Sequence, residues 1–126
     1  MAAKLLKGIT HCILIMPKDK VVAEKNGVYA FLFLCFGPGD EDAIAQVHLT
    51  KVNDRFAWRS PHTTVGRKSV PVFKGQLATE ITLIAQEAYE LVKKQFGKVR
   101  YGRKYRIAGN KAIDETPMES EGVAEA

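Results

Sequence analysis

The feature that most constrains this chain is one long stretch, Gln76 to Phe96, whose apolar residues recur at helical spacing. Leu77, Ile81, Ile84, Ala88, Leu91, Val92 and Phe96 trace one side, while Glu80, Gln86, Glu87, Glu90, Lys93 and Lys94 mostly occupy the other. Glu80 comes early and the lysines late, as the helix dipole favours, and Gly97 supplies a stop. Most of the remaining chain reads as strands, so the stripe must be buried on a sheet.

Residues 9 to 16 form an apolar run of strand length that ends at Pro17. Residues 17 to 27 are polar, and Asn26-Gly27 carries a strong hairpin-turn signal, with Val21 to Ala23 extending the strand that enters it. Val28 to Phe36 is almost continuously apolar, which predicts a central strand covered on both faces. Gly37 to Asp42 is an acidic turn without the ligand order of a calcium loop. Ala43 to Val52 and Arg55 to Arg59 are the next strands, joined by Asn53-Asp54, and residues 60 to 69 read as a polar loop. Val70 to Phe73 is a short strand that Pro71 confines to an edge. Val99 to Ile107 reads as either a last strand or an irregular arm. The expected fold is α+β: an antiparallel sheet of four to five strands with one long helix on one face. A basic C-terminal arm and an acidic, disordered tail follow, giving one domain over 1–111 and a tail over 112–126.

A chain of 126 residues has room for one such domain. No apolar stretch reaches the ~18 residues of a membrane span. The basic start, Met1 to Lys7, precedes an apolar run too short for a secretory core, so a cytosolic setting and no membrane contact are expected. Cys12 and Cys35 both lie in apolar runs and are expected as reduced core thiols.

The net charge of +5 conceals a separation, because five acids and no base follow Lys111. Between Lys93 and Lys111 there are eight bases and no acid, interleaved with Phe96, Tyr101 and Tyr105. Guanidinium groups alternating with rings can neutralise phosphates and stack on bases at once. Lys94, Lys98, Arg100, Tyr101, Arg103, Lys104, Tyr105 and Arg106 are therefore the first candidate site. Arg55, Arg59, Arg67 and Lys68 are a second, grouped around Trp58. On one strand Arg55, Ala57 and Arg59 share a face opposite Phe56 and Trp58, so Trp58 is expected in the core.

Signs of catalysis are few. His11, His48 and His62 match no metal-ligand spacing, and no nucleophile elbow, phosphate loop or dinucleotide fingerprint occurs. No cofactor, metal or enzymatic activity is expected. The leading reading is a non-enzymatic nucleic-acid binder, preferably for single strands, using the basic-aromatic arm, with the acidic tail competing for the basic surface. The alternatives are an interaction module or inhibitor docking on an acidic protein, and a binder of a small phosphorylated ligand such as a nucleotide, held in a homodimer cleft.

Overall fold

A computed structural model describes residues 9–37 and 43–116. In chain order the elements are β1 (His11–Ile15), α1 (Lys20–Asn26), β2 (Ala30–Cys35), β3 (Ala43–Val52), β4 (Arg55–Arg59), β5 (His62–Val65), β6 (Lys68–Pro71), α2 (Gly75–Phe96), β7 (Lys104–Ala108) and β8 (Lys111–Asp114). The protein is α+β. Six strands form one antiparallel sheet in the order β4-β3-β2-β1-β7-β8, and β5-β6 is a separate two-stranded ribbon.

The helix stripe finds the sheet it requires. Ile81, Ile84, Ala85, Ala88 and Val92 of α2 pack with Cys12, Leu14, Leu32, Leu34, Val47, Leu49, Tyr105, Ile107 and Ala112, which come from five strands. Burying a single Leu or Val side chain contributes about 1.5–3 kcal/mol, so this layer is the main source of cohesion.

Five expectations change. The sheet has six strands rather than four or five, and of the two readings of Val99 to Ile107 the strand holds from Lys104, in place of the basic arm. Lys-Tyr-Arg-Ile-Ala alternates, with Tyr105 and Ile107 buried and Lys104 and Arg106 half-buried, and β7 pairs with β1 on one side and β8 on the other. Charge counting hid a half-buried strand. Residues 112–114 likewise belong to the fold as part of β8, with Ala112 only 3% exposed.

The Asn26-Gly27 signal is a helix end rather than a hairpin. Asp19 accepts a hydrogen bond from the Val22 backbone N–H at 2.9 Å and so starts α1. Gly27, at φ 74°, closes it by donating to the Ala23 carbonyl at 2.8 Å. A tight hairpin and a left-handed helix cap both require positive φ, so the same residue pair signals either.

The polar loop at 60–69 contains a hairpin. Val65 pairs with Lys68 around Gly66-Arg67, and Gly66 sits at φ 65°. Finally, β2 is not sealed on both faces: Leu32 and Leu34 are buried under α2, whereas Phe31 and Phe33 remain half-buried on the other side. The tail from residue 117, most of the acidic 37–42 turn and the basic start Met1–Lys7 lie outside the described residues.

The two thiols cannot join. Cys12 stands opposite Leu34 while Cys35 stands opposite His11, so strand alternation sends their side chains to opposite faces. Burial, and secondarily Cys35, push the Cys12 pKa up to about 12, leaving an unreactive thiol.

At the outer edge of β8, α2 caps the backbone of Ala112. The Gln95 amide donates to the Ala112 carbonyl, and its oxygen accepts from the Ala112 backbone N–H at 2.9 Å. Gln95→Ala should cost about 1–2 kcal/mol, read from the urea midpoint, and should speed hydrogen exchange at Ala112. An unchanged midpoint would mean that the amide contributes nothing to holding this edge.

Candidate functional site

In an antiparallel sheet, residues directly opposite each other point to the same face. The register therefore builds a row across five strands on the face turned from α2. Lys104 of β7 stands opposite Ile15, Ile15 opposite Phe31, Phe31 opposite His48, and His48 opposite Arg59 of β4. The row spans four strand spacings, or about 19 Å. A second row lies beside it: Ile113, Arg106, Ile13, Phe33 and Gln46. The first row has a cation at each end and rings between them, and the second adds one cation, Arg106, and one ring, Phe33.

Lys104, Ile15, Phe31, His48, Phe33, Gln46 and Arg106 are half-buried, and Arg59 and Ile113 are exposed. Ile13 is buried and stands outside the apolar layer around α2. The centre is ordered by ring and amide contacts. Phe31 meets His48 edge-on, with centroids 5.0 Å apart at 79°. The Gln46 side-chain amide lies 2.7 Å from His48 Nε2. Burial lowers the His48 pKa below its ordinary value. The Gln46 amide nitrogen can only donate, so His48 Nε2 is its acceptor, which puts the proton of the neutral imidazole on Nδ1.

The sequence-predicted residues distribute unevenly over the molecule. Lys104, Arg106, Arg55 and Arg59 are brought to the face just described, Arg55 through its pairing with Val52 beside the β3–β4 turn. Lys94, Lys98 and Arg100 are exposed at the end of α2 and in the turn after it, with Tyr101 at 38% exposure. Backbone bonds tie this turn to the start of α1: the Gly102 N–H donates to the Pro17 carbonyl at 2.7 Å and the Met16 N–H to the Arg103 carbonyl at 2.9 Å. Lys18, next to Pro17 in the chain, is thereby placed beside this turn. Arg103 is ion-paired with Asp114 at 3.7 Å, both about a third exposed. Arg67 and Lys68 stand at the turn of the β5-β6 ribbon, apart from the six-stranded sheet.

Tyr105 cannot stack on a ligand. It is 2% exposed, its ring packs against Phe96 at 5.4 Å, and its hydroxyl accepts from the Arg100 backbone N–H at 3.3 Å. Trp58 takes the core-side position expected of it, half-buried and edge-on to Tyr89 at 5.9 Å. Phe31, Phe33, Gln46 and His48 were not among the sequence candidates. The signal that identifies them is cross-strand register, which the continuous apolarity of β2 conceals.

Among the described residues, no group of three or more His, Cys, Asp or Glu could hold a metal ion. None of the described helices is long and apolar enough to cross a membrane. No family model matches the chain, and no match to it is found among curated proteins or solved structures.

The His48 environment has a measurable consequence. Because its pKa is lower folded than unfolded, the unfolded chain binds the proton more readily below about pH 6.5. The stability that His48 contributes is present above that pH and is lost as the pH falls through its folded pKa. Urea midpoints near pH 7.5 and pH 5.5 should show a smaller acid-induced drop in His48→Gln than in the parent chain. An equal drop in both would show that His48 titrates normally.

Proposed function

We propose that this protein binds single-stranded nucleic acid on the sheet face turned from α2, and acts by binding rather than by covalent chemistry. The row Lys104–Ile15–Phe31–His48–Arg59 is the observation that carries this reading. Rings at the centre offer π-faces to unstacked bases, and cations at both ends meet the phosphates on either side. A duplex hides its base faces, so a flat aromatic surface favours single strands. Gln46, held by His48, adds a polar side chain beside the rings. The net charge of +5 supplies long-range attraction for a polyanion.

The basic turn after α2 plays a narrower part than its charge density implies. In this reading Lys104 and Arg106 act from β7 as part of the platform, whereas Lys94, Lys98 and Arg100, at the end of α2 and in the turn after it, add to the long-range attraction. Tyr105 anchors the turn and does not touch the ligand.

The test is fluorescence anisotropy with labelled single- and double-stranded oligonucleotides at two salt concentrations. Single strands should bind more tightly than duplex, with affinity falling steeply as salt rises. Phe31→Ala combined with Phe33→Ala should weaken single-strand binding at least tenfold, since stacking contributes about 1–3 kcal/mol per base. Arg59→Ala should flatten the salt slope by about 0.7. A preference for duplex, or indifference to loss of both phenylalanines, would sink the proposal.

A further inference from the structure

We infer that the bound strand leaves the sheet at Arg59 and continues into a second contact, a cleft between the base of the β5-β6 ribbon and the start of α2. The inference rests on the single-strand reading and extends it to a longer site in two parts.

The cleft has a volume of about 360 Å³, and Trp58, Arg59, His62, Lys74, Thr79 and Thr82 are among the residues lining it. Arg59, His62, Lys74 and Thr79 are exposed, while Trp58 and Thr82 are half-buried. Arg59 belongs to both parts. It ends the Lys104–Arg59 row by pairing with His48, and it also lines the cleft. The two surfaces thus meet at this residue of the edge strand β4.

The charge of this region points to a polyanion. From Arg55 to Thr79 the chain carries Arg55, Arg59, Arg67, Lys68 and Lys74 and no acid. This run is separate in sequence from the basic stretch after α2. Among the described residues no carboxylate lines the cleft, so none there competes with a phosphate for Arg59 and Lys74. The partly accessible Trp58 ring adds a stacking surface, and the Thr79 and Thr82 hydroxyls add polar groups, a combination suited to a nucleotide unit. Thr79 and Thr82 donate to the Gly75 and Thr79 carbonyls, at 3.3 and 3.0 Å, which leaves their oxygens as acceptors. The direct anion contacts therefore fall to Arg59 and Lys74, with His62 beside them. The ribbon, exposed along nearly its whole length, holds Arg67 and Lys68 past the cleft along the same path.

Trp58 is the only tryptophan, so its emission reports on this cleft without a label. Oligothymidylates of four and twelve nucleotides would be titrated into the parent chain, into His62→Ala combined with Lys74→Ala, and into Phe31→Ala combined with Phe33→Ala. Anisotropy would follow binding and Trp58 emission would follow the cleft. The twelve-mer should quench Trp58. The His62/Lys74 variant should bind it about fivefold more weakly, with a salt slope lower by about 0.7 for each phosphate no longer neutralised. The four-mer should lose less than the twelve-mer. Lys74→Arg, which keeps the charge, should restore most of the twelve-mer affinity, and Lys74→Glu should weaken it further. His62 and Lys74 are exposed, Phe31 and Phe33 half-buried, and an unchanged urea midpoint would check that the fold survives in each variant.

If the twelve-mer binds in a Phe31- and Phe33-dependent manner but leaves Trp58 silent and ignores the His62/Lys74 change, the cleft is overturned while the platform stands. If the phenylalanine variant binds normally and the His62/Lys74 variant does not, the platform fails and the cleft remains. Failure of the parent chain to bind either oligonucleotide overturns both.

Discussion

Burial of the α2 stripe on one face of the sheet is the interaction on which the rest depends. A 22-residue amphipathic helix cannot stay folded in water on its own stripe, and the apolar residues of β1, β2, β3, β7 and β8 supply the matching layer. Packing α2 there commits alternate residues of these five strands to the core. It also commits the residues between them to the opposite face, where Lys104, Ile15, Phe31 and His48 stand in one row that Arg59 of β4 extends. The proposed platform is thus the reverse side of the core, and its layout is fixed by the same register.

Much of the fold was legible in the sequence because its signals were local. The α2 periodicity, the third and fourth strands and the turn between them could each be read from residues close together in the chain. Asn53 and Asp54 take positive φ at 52° and 65°, as a two-residue hairpin turn demands. Where two structures use the same local signal, the reading went astray. Asn26-Gly27 suits a hairpin and a helix cap equally, and only Asp19 capping Val22 decides between them.

The site was less legible, for a physical reason. Charge density is visible in one dimension, and it drew attention to Lys104, Arg106 and Arg59. It could not show that Tyr105 faces inward while its neighbours face outward. Nor could it show that Phe31 and Phe33, in a run that is apolar at every position, turn away from the core that their neighbours enter. Those facts belong to pairing between strands distant in sequence, and no count of nearby residues contains them.

The place of β7 in the sheet has a further consequence for how the molecule comes into being. β1 is the first strand and lies in the interior of the sheet, yet one of its two neighbours is β7, close to the other end of the described chain. During synthesis, a chain that has emerged only through α2 can already form the β1-β2-β3-β4 meander and dock the helix on it. One backbone edge of β1 still lacks its partner strand at that stage, and an open edge of this kind invites pairing with other chains. Closure waits for β7 and β8, so folding should be slow for a domain of this size and most vulnerable to aggregation before those two strands are added.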